Sequence, residues 1–230
     1  MRPGIRAGAG VLLAVALLTG CTGSGGGGDG DFRVAAQPSP EAAGAPSALA
    51  IGDVKVAGYT VGEPASAERI APADVRPEPR KCAALAYAVA GTAAGKPRAT
   101  ESRRAAGKGI TTLLTVASYD GDGGAVAALE EVSAAAEACA AGFTFTVKGT
   151  TREVAAVTRA LAPPGTDQAM AFTAMAGTAG ATAPVQVVVV RKGSRVGWFT
   201  AAPTTGTKPG KGTVEVPEEV VNAQLAKLLG

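Results

Sequence analysis

The chain has 230 residues, 47% hydrophobic but only 4% aromatic, with 32 glycines, no histidine and a formal net charge of +3. That length makes one domain plus a linker, with a core drawn from Val, Leu, Ala and a few Phe. The small charge gives no electrostatic footing for nucleic acid. The missing histidine removes Ser-His-Asp and Cys-His catalysis and every His metal site.

Residues 1–20 are laid out as a signal peptide. Arg2 and Arg6 form a small positive region, Ala7 to Leu18 is apolar or small, and Thr19-Gly20 offers small side chains beside a scissile bond. The apolar part is too short for a finished transmembrane helix. The run Leu18-Thr19-Gly20-Cys21 closely resembles the bacterial lipobox. That resemblance implies transfer of a diacylglyceryl group to the Cys21 thiol and cleavage between Gly20 and Cys21. The expected address is the outer face of the cell membrane, with membrane lipid as partner through the Cys21 anchor. Two acyl chains, at about 0.8 kcal/mol per buried CH₂, make such an anchor durable. Losing Arg2 and Arg6 takes the net charge from +3 to +1.

Residues 21–47 then read as the lipidated cysteine plus a Gly/Pro/Ala-rich tether, which cannot bury enough surface to offset its ordering entropy. Residues 48–230 read as a single extracytoplasmic domain. Its two cysteines, Cys82 and Cys139, enter an oxidising compartment, where a lone pair is expected to form a disulfide.

In chain order, Asp53 to Glu63 predicts a first strand and Pro64 to Pro79 a proline-rich passage. Arg80 to Ala90 predicts a short helix with Cys82, Leu85, Ala86 and Val89 on one side. Arg98 to Ala106 and Ile110 to Asp120 predict two strands joined at Gly107-Lys108-Gly109. The longest helix is predicted over about Gly124 to Ala141, with a stripe of Leu129, Val132, Ala136, Cys139 and Phe143. This spacing turns Cys139 toward the core, where Cys82 can meet it.

The back half predicts strands over Phe143 to Lys148, Arg152 to Leu161 and Gln168 to Ala176. Val185 to Val190 hardly alternates, which marks a central strand buried on both faces. Arg195 to Ala201 follows, then a Gly/Lys/Thr loop over Thr204 to Gly212. A closing helix runs from Pro217 to Leu229, with Glu218 and Glu219 at its positive end and Val221, Leu225 and Leu228 as its stripe. Strands joined by tight turns and interrupted by separated helices predict an α+β domain. The expected arrangement is a largely antiparallel sheet with helices packed on one face, a two-layer sandwich with one disulfide.

Three local patterns bear on chemistry. Asp120-Gly121-Asp122 with Glu131 echoes a calcium loop, but Gly124 and Ala125 stand where an EF-hand wants an oxygen ligand and a glycine. It reads as a strand-to-helix turn. Gly206 to Thr213 lacks phosphate-loop spacing and reads as a surface loop. Arg98, Arg103, Arg104 and Lys108 share one hairpin and read as charges that protect a sheet edge. Trp198, the only tryptophan, reads as core, and Glu130 and Glu131 read as solvated. No catalytic residue, metal ligand or cofactor is assigned.

A lipobox and tether precede Pro79-Arg80-Lys81-Cys82, a long helix ending Glu137-Ala138-Cys139, and a final helix carrying Val220-Val221-Asn222-Ala223-Gln224-Leu225. This layout resembles actinobacterial cell-envelope lipoproteins and, in outline over residues 50–230, the PknH-like extracellular sensor domain. The resemblance implies an α+β sandwich with a structural disulfide and a ligand-binding or sensing role without catalysis. That sensor domain carries two disulfides where this chain has cysteines for one, and no binding residue is carried over. The expected function is a tethered, non-catalytic binding or sensor-like domain for a cell-wall or small-molecule ligand. The alternatives are a carrier of a lipid or other apolar molecule, and a hydrolase using two converging carboxylates.

Overall fold

A computed structural model of the chain describes residues 50–205 and 214–229. The expected signal peptide, Gly20, Cys21 and the 21–47 tether lie outside the described residues, as does most of the expected Thr204–Gly212 loop. Ten strands form one sheet: β1 (Val54–Val56), β2 (Tyr59–Gly62), β3 (Val75–Glu78), β4 (Ala99–Gly107), β5 (Ile110–Ser118), β6 (Phe143–Val147), β7 (Thr150–Ala160), β8 (Gln168–Thr178), β9 (Ala181–Lys192) and β10 (Arg195–Pro203). Their spatial order is β1-β2-β4-β5-β10-β9-β8-β7-β6-β3, with every neighbouring pair antiparallel. Three α-helices complete the described fold: α1 (Ala83–Val89), α2 (Gly121–Ala138) and α3 (Glu218–Leu229).

The α+β class and the antiparallel sheet are as the sequence predicts. The position of the last helix is not. Helices α1 and α2 pack on one face, over Val187 and Val189 of β9 and Val196 and Trp198 of β10. Helix α3 packs on the other, over Val188 and Val190 of β9 and Phe199 and Ala201 of β10. Successive strand residues point to opposite faces, so the middle of the sheet lies between two helical layers and the expected two-layer arrangement is corrected. The cause is visible in β9 itself. An unalternating run of valines needs apolar cover on both sides, and α1 and α2 supply only one.

Two local readings also change. The single strand expected over Asp53 to Glu63 is a hairpin, because Ala57 and Gly58 adopt φ of 46° and 89°. Two consecutive positive-φ residues form the tight turn whose twist suits paired strands. The proline-rich passage contains β3, whose Pro77 pairs with Phe145. A proline is tolerated there because β3 is the outermost strand. Helix α2 starts at Gly121, ahead of the expected Gly124, with Asp120 as its N-cap residue.

The disulfide joins Cys82 to Cys139 with Cα atoms 5.9 Å apart, across a sequence separation of 57. It ties the 3-10 turn before α1 to the C-cap residue of α2. Just beyond, Gly142 has φ +107°, and a Cβ on it would lie 2.5 Å from the Val154 carbonyl oxygen and 2.7 Å from that of Ala155. Only glycine lets the chain leave α2 this close to β7. The register of β7 on β8 shifts between Val154 and Ala156, so Ala156, Thr158 and Ala160 turn away from the α2 side.

Candidate functional groove

Helix α3 does not cover the whole of its face. It lies over the β10 and β9 side, and among the described residues no helix lies over the β7–β8 end of the same face. There the cross-strand rows run Ala160–Ala171–Val188, Thr158–Thr173–Gln186 and Ala156–Met175–Pro184. Short side chains lower this floor. Above it are the 161–164 loop on one side and the Val214–Glu218 segment on the other, enclosing a cavity of about 450 Å³. A second hollow of about 220 Å³ shares Thr173 and Val214 with the first and extends past Met175 and Pro184. The result is an elongated groove, of a size that holds small ligands.

The groove is anchored at one wall. Gln186 accepts a hydrogen bond at 2.5 Å from the Val216 backbone N–H, fixing the segment that leads into α3. The other wall carries Leu161, 97% exposed, and the far end carries Met175, 39% exposed. These are two of the three large hydrophobic residues that stand out into solvent among the described residues. One exposed leucine is unremarkable on a protein surface, but two large apolar side chains bordering one apolar groove mark a contact surface.

The carboxylates Glu215 and Glu218 line the groove, and they also line a neighbouring cavity of about 600 Å³ with Tyr59, Lys108, Glu219 and Asn222. The Lys108 ammonium sits 5.0 Å from the centre of the Tyr59 ring, within cation–π range. Burial, and then the charge of Glu219, push the Tyr59 hydroxyl above its ordinary pKa, so it stays protonated.

The basic hairpin matches its sequence reading only in part. Strand β4 pairs with β5 along its length but with β2 only over Arg104 to Ala106, so its Ala99–Arg103 half is a sheet edge and its arginines are also tied into ion pairs. Arg103 turns toward the sheet, pairs with Glu101 and donates to the Ile51 carbonyl at 3.2 Å. Arg104 pairs with Glu68 at 2.9 Å and Arg98 with Asp120 at 3.7 Å. This accounts for three of the four cations by intramolecular partners, and Lys108 by the Tyr59 ring.

Asp120 occupies the N-cap position of α2 with no side-chain capping hydrogen bond, and Glu130 and Glu131 are exposed on that helix. Among the described residues no cluster of three or more His, Cys, Asp or Glu side chains is placed to hold a metal. Trp198 is fully buried, as its reading as core requires. Cys82 and Cys139 meet as expected, far in sequence from the groove residues. The expected sites Gly20 and Cys21 fall outside the described residues. Among the described residues no helix is long and apolar enough to cross a membrane.

No family model matches the chain, and no curated protein matches it. Among solved structures, the chain is similar to the extracellular domain of PknH from Mycobacterium tuberculosis, with a TM-score of 0.45 and 14% identity over 80% of this chain and 92% of that one. It is also similar to an uncharacterised protein from Mycobacterium smegmatis, the Rv0999 ortholog, with a TM-score of 0.39 and 16% identity over 78% of this chain and 92% of that one. Neither score is high enough to carry an argument about function.

Proposed function

We propose that this protein is a lipid-anchored, extracytoplasmic binding domain that holds an apolar ligand in the groove beside α3 and does not turn it over. The observation that carries the binding reading is the part of the α3 face that no described helix covers, a floor of small side chains bordered by Leu161 and Met175. The anchoring half rests on the Leu18-Thr19-Gly20-Cys21 motif and accords with the disulfide, a bond kept in oxidising compartments. A role as lipid carrier would use the same groove. The groove runs open along the sheet, and the space on the other face is filled by Trp198, Phe172 and Leu85, which favours a ligand held at the surface over one enclosed.

Filling the floor tests the binding site. Thr173→Trp places an indole in the groove, and Nile red, a neutral apolar fluorophore, reports occupancy. The wild type is expected to give a saturable blue-shifted signal that Thr173→Trp weakens at least tenfold, with the urea midpoint of the variant checked alongside. Equal titration curves for two folded proteins would remove the groove as the site.

The anchor has its own test. Cys21→Ala is expected to move the protein from the membrane fraction to the soluble one, and intact mass of the wild type to show a mature chain beginning at a diacylglyceryl-modified Cys21. A wild-type protein in the soluble fraction, or an N-terminus elsewhere, would sink the anchoring reading and leave the groove untouched.

A further inference from the structure

Resting on the groove as binding site, we infer that its ligand is a neutral apolar molecule that carries an oxygen acceptor, an ester or ketone carbonyl, partway along its body. A polar row crosses the otherwise apolar floor. Thr158, Thr173 and Gln186 are cross-strand neighbours on β7, β8 and β9. Thr173 lines both hollows, Gln186 the larger one and Thr158 the smaller. To either side lie the rows Ala160–Ala171–Val188 and Ala156–Met175–Pro184, whose side chains carry no nitrogen or oxygen. None of the three rows contains an ionisable side chain, so the floor calls for a neutral group.

The direction of the hydrogen bonds follows from Gln186. Its amide oxygen accepts the Val216 N–H, and an amide nitrogen can only donate. That nitrogen therefore brings two N–H donors to the floor, and it has no partner among the described residues. The Thr158 and Thr173 hydroxyls have none among them either, and each can donate as well as accept. A ligand group lying on this row must accept hydrogen bonds, which a carbonyl or ester oxygen does. A plain hydrocarbon there would strip water from the donors and return nothing. The apolar rows seat hydrocarbon on both sides of the acceptor, which places it within the chain and not at its end. Water serves these partly exposed groups when no ligand is bound, so the row contributes selectivity more than affinity.

Two probes of equal chain length separate acceptor from hydrocarbon: 5-nonanone, with its carbonyl at mid-chain, and 1-nonene, with no oxygen. Both are measured on the whole protein by displacement of Nile red, whose own affinity is determined for each variant. Thr173→Val removes one hydroxyl at nearly constant shape. Gln186→Glu keeps the acceptor for the Val216 N–H and replaces the amide donors with a second acceptor. Each variant is expected to weaken 5-nonanone about fivefold, the effect of one lost hydrogen bond, and to leave 1-nonene within about twofold of the wild type. Urea midpoints report whether the variants are folded, and if one is not, the other decides. Equal effects on the two probes, or none on either, would overturn the polar row while leaving the groove standing. A wild type that binds Nile red but yields it to neither probe would overturn this inference alone. A wild type that binds no Nile red would overturn it together with the binding reading beneath it.

Discussion

Cys82→Ala is expected to lower the unfolding free energy by about 2–5 kcal/mol, the range seen when a native disulfide is lost from a small extracytoplasmic domain. The bridge closes a loop that contains β4, β5 and α2. Closing a loop of this length is worth roughly 4 kcal/mol in chain entropy. Both cysteines are buried in the core formed by α1, α2 and the sheet, so the loss falls where packing already depends on the two helices meeting. Urea denaturation measures it. Cys139→Ala and the double variant should match the single variant, because each removes the same covalent link. Dithiothreitol should shift the wild type alone, and reduction should add the mass of two hydrogens. A wild-type midpoint that ignores reductant would mean that the bridge is absent in the protein.

Trp198→Ala and Phe199→Ala should each cost about 3–5 kcal/mol, the range for removing a large buried aromatic side chain. The interest lies in the pair. They are consecutive residues of β10, both fully buried, and they point to opposite faces. Trp198 packs with α1 and α2, and Phe199 with α3. In a two-layer sandwich one of the two would face water, and its replacement would cost well under 1 kcal/mol, as surface changes do. Comparable losses for both in urea denaturation are therefore the signature of helices on both sides. A near-neutral Phe199→Ala would remove α3 from its place on the sheet.

The strands were legible where alternation survives in the sequence: Phe143 to Lys148 has one wetter face, and Ile110 to Ser118 keeps its larger apolar residues on one face although Leu114 to Ala117 are buried on both. What stayed hidden did so for identifiable reasons. Val185 to Val190 reads as covered on both faces, yet nothing in that run says which helix covers the second. The answer sits in α3, where Gln224 interrupts the apolar stripe. Gln224 is fully buried, and its side-chain oxygen accepts the Ile51 N–H at 3.0 Å. A glutamine three residues after Val221, inside the stripe, was the available signal that this helix covers a segment with an unpaired backbone N–H. The groove was hidden for the opposite reason. Its floor residues Ala156, Thr158 and Thr173 are small or polar at alternate positions, the pattern of any solvent-facing strand surface, and only the placement of the 161–164 loop and the Val214–Glu218 segment turns them into a floor. The disulfide was legible because Cys82 and Cys139 are the two cysteines of the 48–230 stretch and both were predicted on apolar helix faces.

Ile51 is held at both of its backbone groups, by Gln224 through the N–H and by Arg103 through the carbonyl at 3.2 Å. The first described residues are thus latched at once to the last helix and to strand β4. Traction applied to the chain ahead of residue 50 would meet this latch before it reached the short outer strand β1. Force would have to break two hydrogen bonds together, one of them inside the core, where a strand peeled from a free end gives way one bond at a time. The same latch makes the domain's two ends interdependent: stretching one loosens the other.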